Sequence, residues 1–133
     1  MISAGTVFTN DRFPRATTSD LKWLRSSDPN EETLPTLVRQ GATIGANCTI
    51  GNGLSIGRFA MVGMGALVTR SVEDFHLVIG QPARPIGYVC RCGKILGMAD
   101  DLEPLQEHTL ICTACRLQYL CKGTAVTELT PPK

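Results

Sequence analysis

A chain of 133 residues has room for one domain, or one domain with a small appendage. Hydrophobic residues reach 43% but aromatics only 5%, so a core here must be filled by many small aliphatic side chains, which suits a narrow, repetitive structure. A formal net charge of +1 removes the bulk electrostatic case for a nucleic-acid or anionic-membrane partner, and no apolar run is long enough to span a bilayer.

The opening residues, Met1 to Gly5, show neither a basic n-region nor an apolar h-region. A cytoplasmic location is therefore expected, with cysteines reduced or metal-bound rather than paired. Ile2 and Phe8 stand six residues apart, as along one edge of a coil. The register then breaks over residues 9–36, a stretch rich in Asp, Glu, Lys and Arg that also carries Pro14, Pro29 and Pro35. It reads as a long loop excursion. Loops of this length are functional or disordered, and the ordered character of its start, Val7 to Ala16, argues against disorder.

From residue 38 a strict repeat takes over. Val38, Ile44, Ile50, Ile56, Val62 and Val68 are aliphatic, β-branched and each six residues from the next. Arg39, Gly45, Gly51, Gly57, Gly63 and Thr69 follow them, and Ala42, Cys48, Leu54, Ala60, Ala66 and Val72 lie four positions on. An α-helix would scatter a six-residue spacing around its surface, and each glycine would cost it about 1 kcal/mol. A solenoid of short strands accounts for the pattern. The β-branched residue points inward, the chain turns at each corner, and successive coils stack about 4.8 Å apart.

The motif Ile/Val-Gly-x-x-Ala/Cys/Leu-x resembles the hexapeptide repeat of left-handed parallel β-helix acyltransferases. Three hexapeptides make one triangular coil in that family, which implies two coils over residues 38–73. The segment Phe8-Thr9-Asn10-Asp11-Arg12-Phe13-Pro14-Arg15-Ala16 is similar to the loop signature of nucleotide-linked 3-amino-sugar N-acetyltransferases of bacterial surface-polysaccharide biosynthesis. Such enzymes move acetyl from acetyl-CoA to an amino group on a UDP- or dTDP-linked sugar. The resemblance implies that Asn10 and Asp11 are catalytic, with Asp11 the better base, and that Thr9, Arg12 and Arg15 bind substrate. Residue chemistry alone also allows Asn10 and Asp11 to cap a turn and the arginines to be solvated.

Val78-Ile79-Gly80-Gln81-Pro82-Ala83-Arg84-Pro85 resembles the Gly-Asn-Pro-Ala-Lys/Arg segment that closes the β-helix in many of these enzymes, with Gln81 where Asn is usual. In the family, acetyl-CoA lies in a groove between neighbouring subunits of a homotrimer. That implies Gly45, Ala60, Gly63 and Ala66 near the groove and Arg84 on a CoA phosphate. The glycines are equally accounted for by corner sterics. His76 and His108 both lie away from the loop, and His76 is expected at the surface. Family members carry further coils ahead of the segment equivalent to Met1, so part of the acceptor site is expected outside this chain.

The remaining signal is a cysteine pattern. Cys90-x-Cys92 and Cys112-x-x-Cys115, nineteen residues apart, match a zinc ribbon with a shortened first knuckle. Four thiolates enclose Zn²⁺ and leave no open position, so the site is expected to be structural. Strand-like segments at 86–89, 109–111 and 117–120 carry the knuckles. Cys121 is a spare that could replace Cys90 or Cys92, and Cys48 reads as packing. The expected architecture is all-β: a left-handed parallel β-helix over 1–87, a zinc-ribbon-like module over 88–123 that caps the solenoid, and a flexible tail over 124–133.

Three functions compete at this point. An acetyl-CoA-dependent amino-sugar N-acetyltransferase is favoured. A truncated, non-catalytic trimeric assembly module is the alternative. A γ-type carbonic anhydrase needs three histidine ligands, and the chain has only two histidines.

Overall fold

The computed structural model describes residues 1–103 and 105–129. Seven two-residue strands come first: β1 (Val7–Phe8), β2 (Leu37–Val38), β3 (Thr43–Ile44), β4 (Thr49–Ile50), β5 (Ser55–Ile56), β6 (Met61–Val62) and β7 (Leu67–Val68). From β3 to β7 the second residue of each strand is buried Ile or Val, and the first faces outward. Pairing is parallel and runs from coil to coil: β3 with β6, β4 with β7, β2 with β5. The offset is 18 residues, as in Ile44↔Val62, so three hexapeptides make one turn with three sheet faces.

The excursion is inserted without disturbing the stack. Ile2 bridges Ile44 and Phe8 pairs with Ile50, both across 42 residues, so the loop adds 24 residues (42 minus 18) to the first coil. The last coil is short. Ile56 meets Val72 and Val62 meets Val78, each an offset of 16. Strict spacing puts the next edge residue at 74; the structure puts Val72 in that role.

The solenoid core holds Ala42, Ile44, Cys48, Ile50, Ile56, Ala60, Val62, Ala66, Val68, Val72 and Val78, with no aromatic ring among them. Burying each Ile or Val contributes about 1.5–3 kcal/mol, and the strand hydrogen bonds between coils hold the columns in register. The corners rely on a left-handed backbone position that itself recurs every six residues: Gly41, Asn47, Gly53, Phe59 and Gly65 all have positive φ. Glycine and asparagine adopt it readily. Phe59 is the exception, and its ring stacks on Phe75 with centroids 5.6 Å apart.

β8 (His76–Gly80) extends the β3–β6 face in parallel, then the chain reverses at the cis Gln81–Pro82 peptide into antiparallel β9 (Ala83–Val89) and β10 (Ile95–Met98). This reversal ends the solenoid by covering its strand edge. A 3-10 turn at Ala99–Asp101 leads to β11 (Glu107–Ile111), β12 (Gln118–Lys122) and β13 (Ala125–Glu128), an antiparallel sheet. Residues 125–128 were expected in a flexible tail, but they form a strand because Val126 enters a second core with Phe75, Tyr88, Cys90, Cys112, Tyr119 and Cys121. Residues 130–133 of that expected tail lie outside the described residues. No α-helix is present among the described residues, and no helix is long and apolar enough to cross a membrane.

Candidate functional site

The excursion folds back on itself as two arms. Asp11 bridges Thr33, the Arg12 N–H donates to the Glu32 carbonyl at 3.1 Å, and the Leu34 N–H donates to the Asn10 carbonyl at 2.9 Å. A solenoid corner anchors the outgoing arm: Asn52 Nδ2 donates to the Asp11 carbonyl at 2.8 Å. Between the arms lies a polar pocket of about 300 Å³ that brings Asn10, Asp11 and Arg15 together with Arg25, Asp28 and Asn30. The Asp11 carboxylate is held on both sides. Oδ1 accepts the Phe13 N–H at 2.9 Å, and Oδ2 lies 3.4 Å from Arg25 Nη1.

Not every expected residue joins this pocket. The Thr9 hydroxyl donates to the Ile50 carbonyl of the next coil at 3.3 Å, because Thr9 continues the strand hydrogen bonds of β1. Arg12 is exposed and lies over the Phe13 ring, 5.3 Å from its centroid.

On the solenoid, Ala60 and Ala66 are 0% and 1% exposed. They were expected beside a ligand groove, but their positions face the core, so they offer no surface. Gly45 and Gly63 are half-buried, and each is needed sterically: a Cβ on Gly45 would sit 2.5 Å from the Met64 nitrogen, and one on Gly63 2.7 Å from the Ile79 Cγ2. Arg84 is exposed on the wall of a pocket of about 240 Å³ shared with Arg70, Ser71, His76 and Thr124. His76, expected at the surface, is buried, because the turn before β13 covers it and the Thr124 carbonyl accepts from its Nε2 at 2.7 Å.

The four predicted cysteines converge. The Sγ atoms of Cys90, Cys92, Cys112 and Cys115 all lie within 4.8 Å of one another. Cys90 and Cys115 are 3.3 Å apart, and Cys92 and Cys112 are 3.6 Å apart. A tetrahedral zinc with Zn–S of about 2.3 Å sets its sulfurs about 3.8 Å apart, so the cluster fits that ion. Cys121 stays outside the cluster with its thiol on the Gly123 carbonyl, and His108 bonds the Glu103 carbonyl. The knuckles are preformed by backbone: the Gly93 N–H donates to the Cys90 carbonyl and the Arg116 N–H to the Cys112 carbonyl. The amides of Cys115 and Ala114 hold the Cys112 thiol down to about 6, while burial pushes Cys90 up to about 12. Cys112 thus gives up its proton more readily than Cys90, and a bound cation would favour the thiolate form of both.

No family model matches the chain. A curated relative, dTDP-3-amino-3,6-dideoxy-alpha-D-galactopyranose 3-N-acetyltransferase of Aneurinibacillus thermoaerophilus, is 50% identical over 66 residues, covering 50% of this chain and 34% of the relative. Among solved structures, AntD, an N-acyltransferase from Bacillus cereus in complex with dTDP and 3-hydroxybutyryl-CoA, superposes with a TM-score of 0.53 at 25% identity, over 68% of this chain and 49% of that one. The chain shares the hexapeptide-repeat fold of the nucleotide-sugar N-acyltransferases. Serine acetyltransferase 4 of Arabidopsis thaliana, 42% identical over 64 residues (48% of this chain, 18% of the relative), carries the likeness to a second class of acetyltransferase. The chain spans between about a third and a half of the length of the two N-acyltransferases it matches.

Within this N-acyltransferase fold, three contributors escaped the sequence reading. In the sequence Arg25, Glu32 and Asn52 are each one charge or amide among many. Only the closure of the loop brings Arg25 to Asp11 and Glu32, and Asn52 to the Asp11 carbonyl. Asn52 alone left a trace, as the polar residue preceding the corner glycine Gly53.

Proposed function

We propose that this chain forms the acceptor-loop and coil segment of an acetyl-CoA-dependent N-acetyltransferase acting on a UDP- or dTDP-linked amino sugar in the cytoplasm. It would work as a homotrimer in surface-polysaccharide biosynthesis. The observation that carries the reading is the polar pocket of Asn10, Asp11 and Arg15, tied by Asn52 to a solenoid whose relatives are sugar N-acyltransferases. The sugar amine attacks the thioester carbonyl; the C–N bond forms, the C–S bond breaks, and the CoA thiolate leaves. The attacking nitrogen sheds a proton, which the Asp11 carboxylate would accept. Asn10 and Arg15 would orient the sugar. On the donor side, the backbone at Gly45 and Gly63 would lie along the pantetheine arm, and Arg84 would meet a CoA phosphate. Cys90, Cys92, Cys112 and Cys115 would hold a structural zinc, which contributes folding energy and no step of the reaction.

The first test is calorimetric titration with acetyl-CoA on zinc-loaded protein of checked oligomeric state. Saturable binding by a trimer is expected, and Arg84→Ala should weaken it about tenfold, the loss of one charge-assisted phosphate contact. Asp11→Ala should lower kcat on the amino sugar about 100-fold or more with acetyl-CoA binding unchanged. A folded trimer that binds no acetyl-CoA would favour the non-catalytic assembly module.

A further inference from the structure

We infer that Arg25 is a positioning residue of the loop pocket, a clamp that closes the two arms and fixes the Asp11 carboxylate; this rests on the reading of that pocket as the acceptor site. Of the three arginines on the loop arms around the pocket, the sequence draws attention to Arg12 and Arg15. Arg12 lies over its neighbour Phe13, and Arg15 Nη1 donates to the carbonyl of Pro14, the residue before it. Arg25 is engaged differently. Its Nη2 donates to Glu32 Oε2 at 2.9 Å, and its Nη1 donates to the Phe13 carbonyl and lies 3.4 Å from Asp11 Oδ2. One planar guanidinium therefore meets two acceptors on the outgoing arm and one on the returning arm, with only 22% of its side chain exposed.

The fork is what makes the arrangement specific. A guanidinium offers five donors in a fixed plane and can satisfy separated acceptors at once; an ammonium is a point charge that must choose. With Phe13 N–H on the other side, the Arg25 contact leaves the Asp11 carboxylate little freedom to rotate, and small misplacement of a reacting group is costly in rate. The clamp lies wholly on the excursion and touches none of the solenoid core residues, so its loss should disturb the site without unfolding the protein. Partly exposed ion pairs contribute little to global stability.

The experiment compares wild-type protein with Arg25→Gln and Arg25→Lys. Native-state amide exchange is read at Arg12 and Leu34, whose N–H groups cross between the arms, and at Thr49 and Gly51 in the solenoid. Arg25→Gln should lose about tenfold of the protection at Arg12 and Leu34 and none at Thr49 or Gly51, with melting temperature unchanged. Its kcat on the amino sugar should fall ten- to 100-fold while acetyl-CoA affinity stays within twofold, and Arg25→Lys should recover part of that loss. Unchanged loop protection in Arg25→Gln would overturn the clamp. So would equal, complete inactivity of both variants with loop protection intact, which would make Arg25 a direct substrate contact. A wild-type protein that binds neither substrate removes the acyltransferase reading instead, and the exchange comparison then decides the clamp by itself.

Discussion

Replacing Cys112 with serine, or stripping the metal with a chelator, should unfold the three-strand module and leave the hexapeptide solenoid standing. The module's own core amounts to Val126, Tyr119 and the cysteines with half-buried Leu102, Leu110 and Leu117 around them, packed against Phe75 and Tyr88 of the solenoid end. A core of that size cannot offset the ordering entropy of its strands, whereas a structural zinc supplies about 10–16 kcal/mol in small peptides. The loss should spread along defined contacts. Tyr119 bonds the Cys90 sulfur at 3.1 Å, accepts the Arg91 N–H at 3.1 Å, and packs edge-on against Phe75 at 5.2 Å. Freed of Tyr119, the turn at Gly123 and Thr124 should release Tyr88 and His76. Amide exchange over 107–128 should then become fast, while β3 to β7 keep their protection.

The pH response has a defined sign. In the folded site backbone amides depress Cys112 from 9.0 to about 6, so its contribution to the module's stability is present above about 9 and fades as pH falls through about 6. With zinc bound, protons compete for all four sulfurs, and acid should release the metal in the same direction. Full retention of module protection after chelation would show that the cysteines are packing residues and that zinc is not needed.

Much of this architecture is written in the sequence, and the parts that are not share a physical cause. The column Val38 to Val68 is legible because each coil repeats the same environment, so one spacing governs six positions. A second column, Gly41, Asn47, Gly53, Phe59 and Gly65, marks the left-handed corners with the same period, but its residue types vary too much, Phe59 above all, for sequence to identify it. The two-residue shortening of the last coil breaks the period where the fold changes, at the reversal into β9, and no local rule announces it. The cysteine tetrad was legible because metal geometry constrains spacing. His76 and β13 were not, since both depend on the module folding back against the solenoid end. Arg25 belongs with them, because an ion pair between loop arms depends on tertiary closure and leaves no trace in composition.

Gly57→Ala should be a strongly damaging single methyl in the solenoid. A Cβ there would lie 2.5 Å from the Glu73 carbonyl carbon and 2.5 Å from the Asp74 nitrogen, which are backbone atoms of the next coil and cannot swing aside. The same contact line carries the Gly57 N–H to the Val72 carbonyl at 2.8 Å, the Arg58 N–H to Asp74 Oδ1 at 2.7 Å and the Phe75 N–H to the Arg58 carbonyl at 2.9 Å. Relief of the clash must push the second and third coils apart and stretch these bonds. Overpacking costs about 1–3 kcal/mol and each weakened hydrogen bond about 0.5–1.5 kcal/mol, so a total loss of about 3–5 kcal/mol is expected. Gly65→Ala is the control. It also sits at a corner, with φ +70°, but nothing lies within 4 Å of its added carbon, so its cost is confined to the left-handed backbone at about 1–2 kcal/mol. Urea unfolding of the two variants should separate them by at least 1 kcal/mol, with Gly57→Ala the weaker. Equal destabilisation would mean that the coils are not packed tightly at this corner, and that the short last turn is loose enough to absorb a methyl.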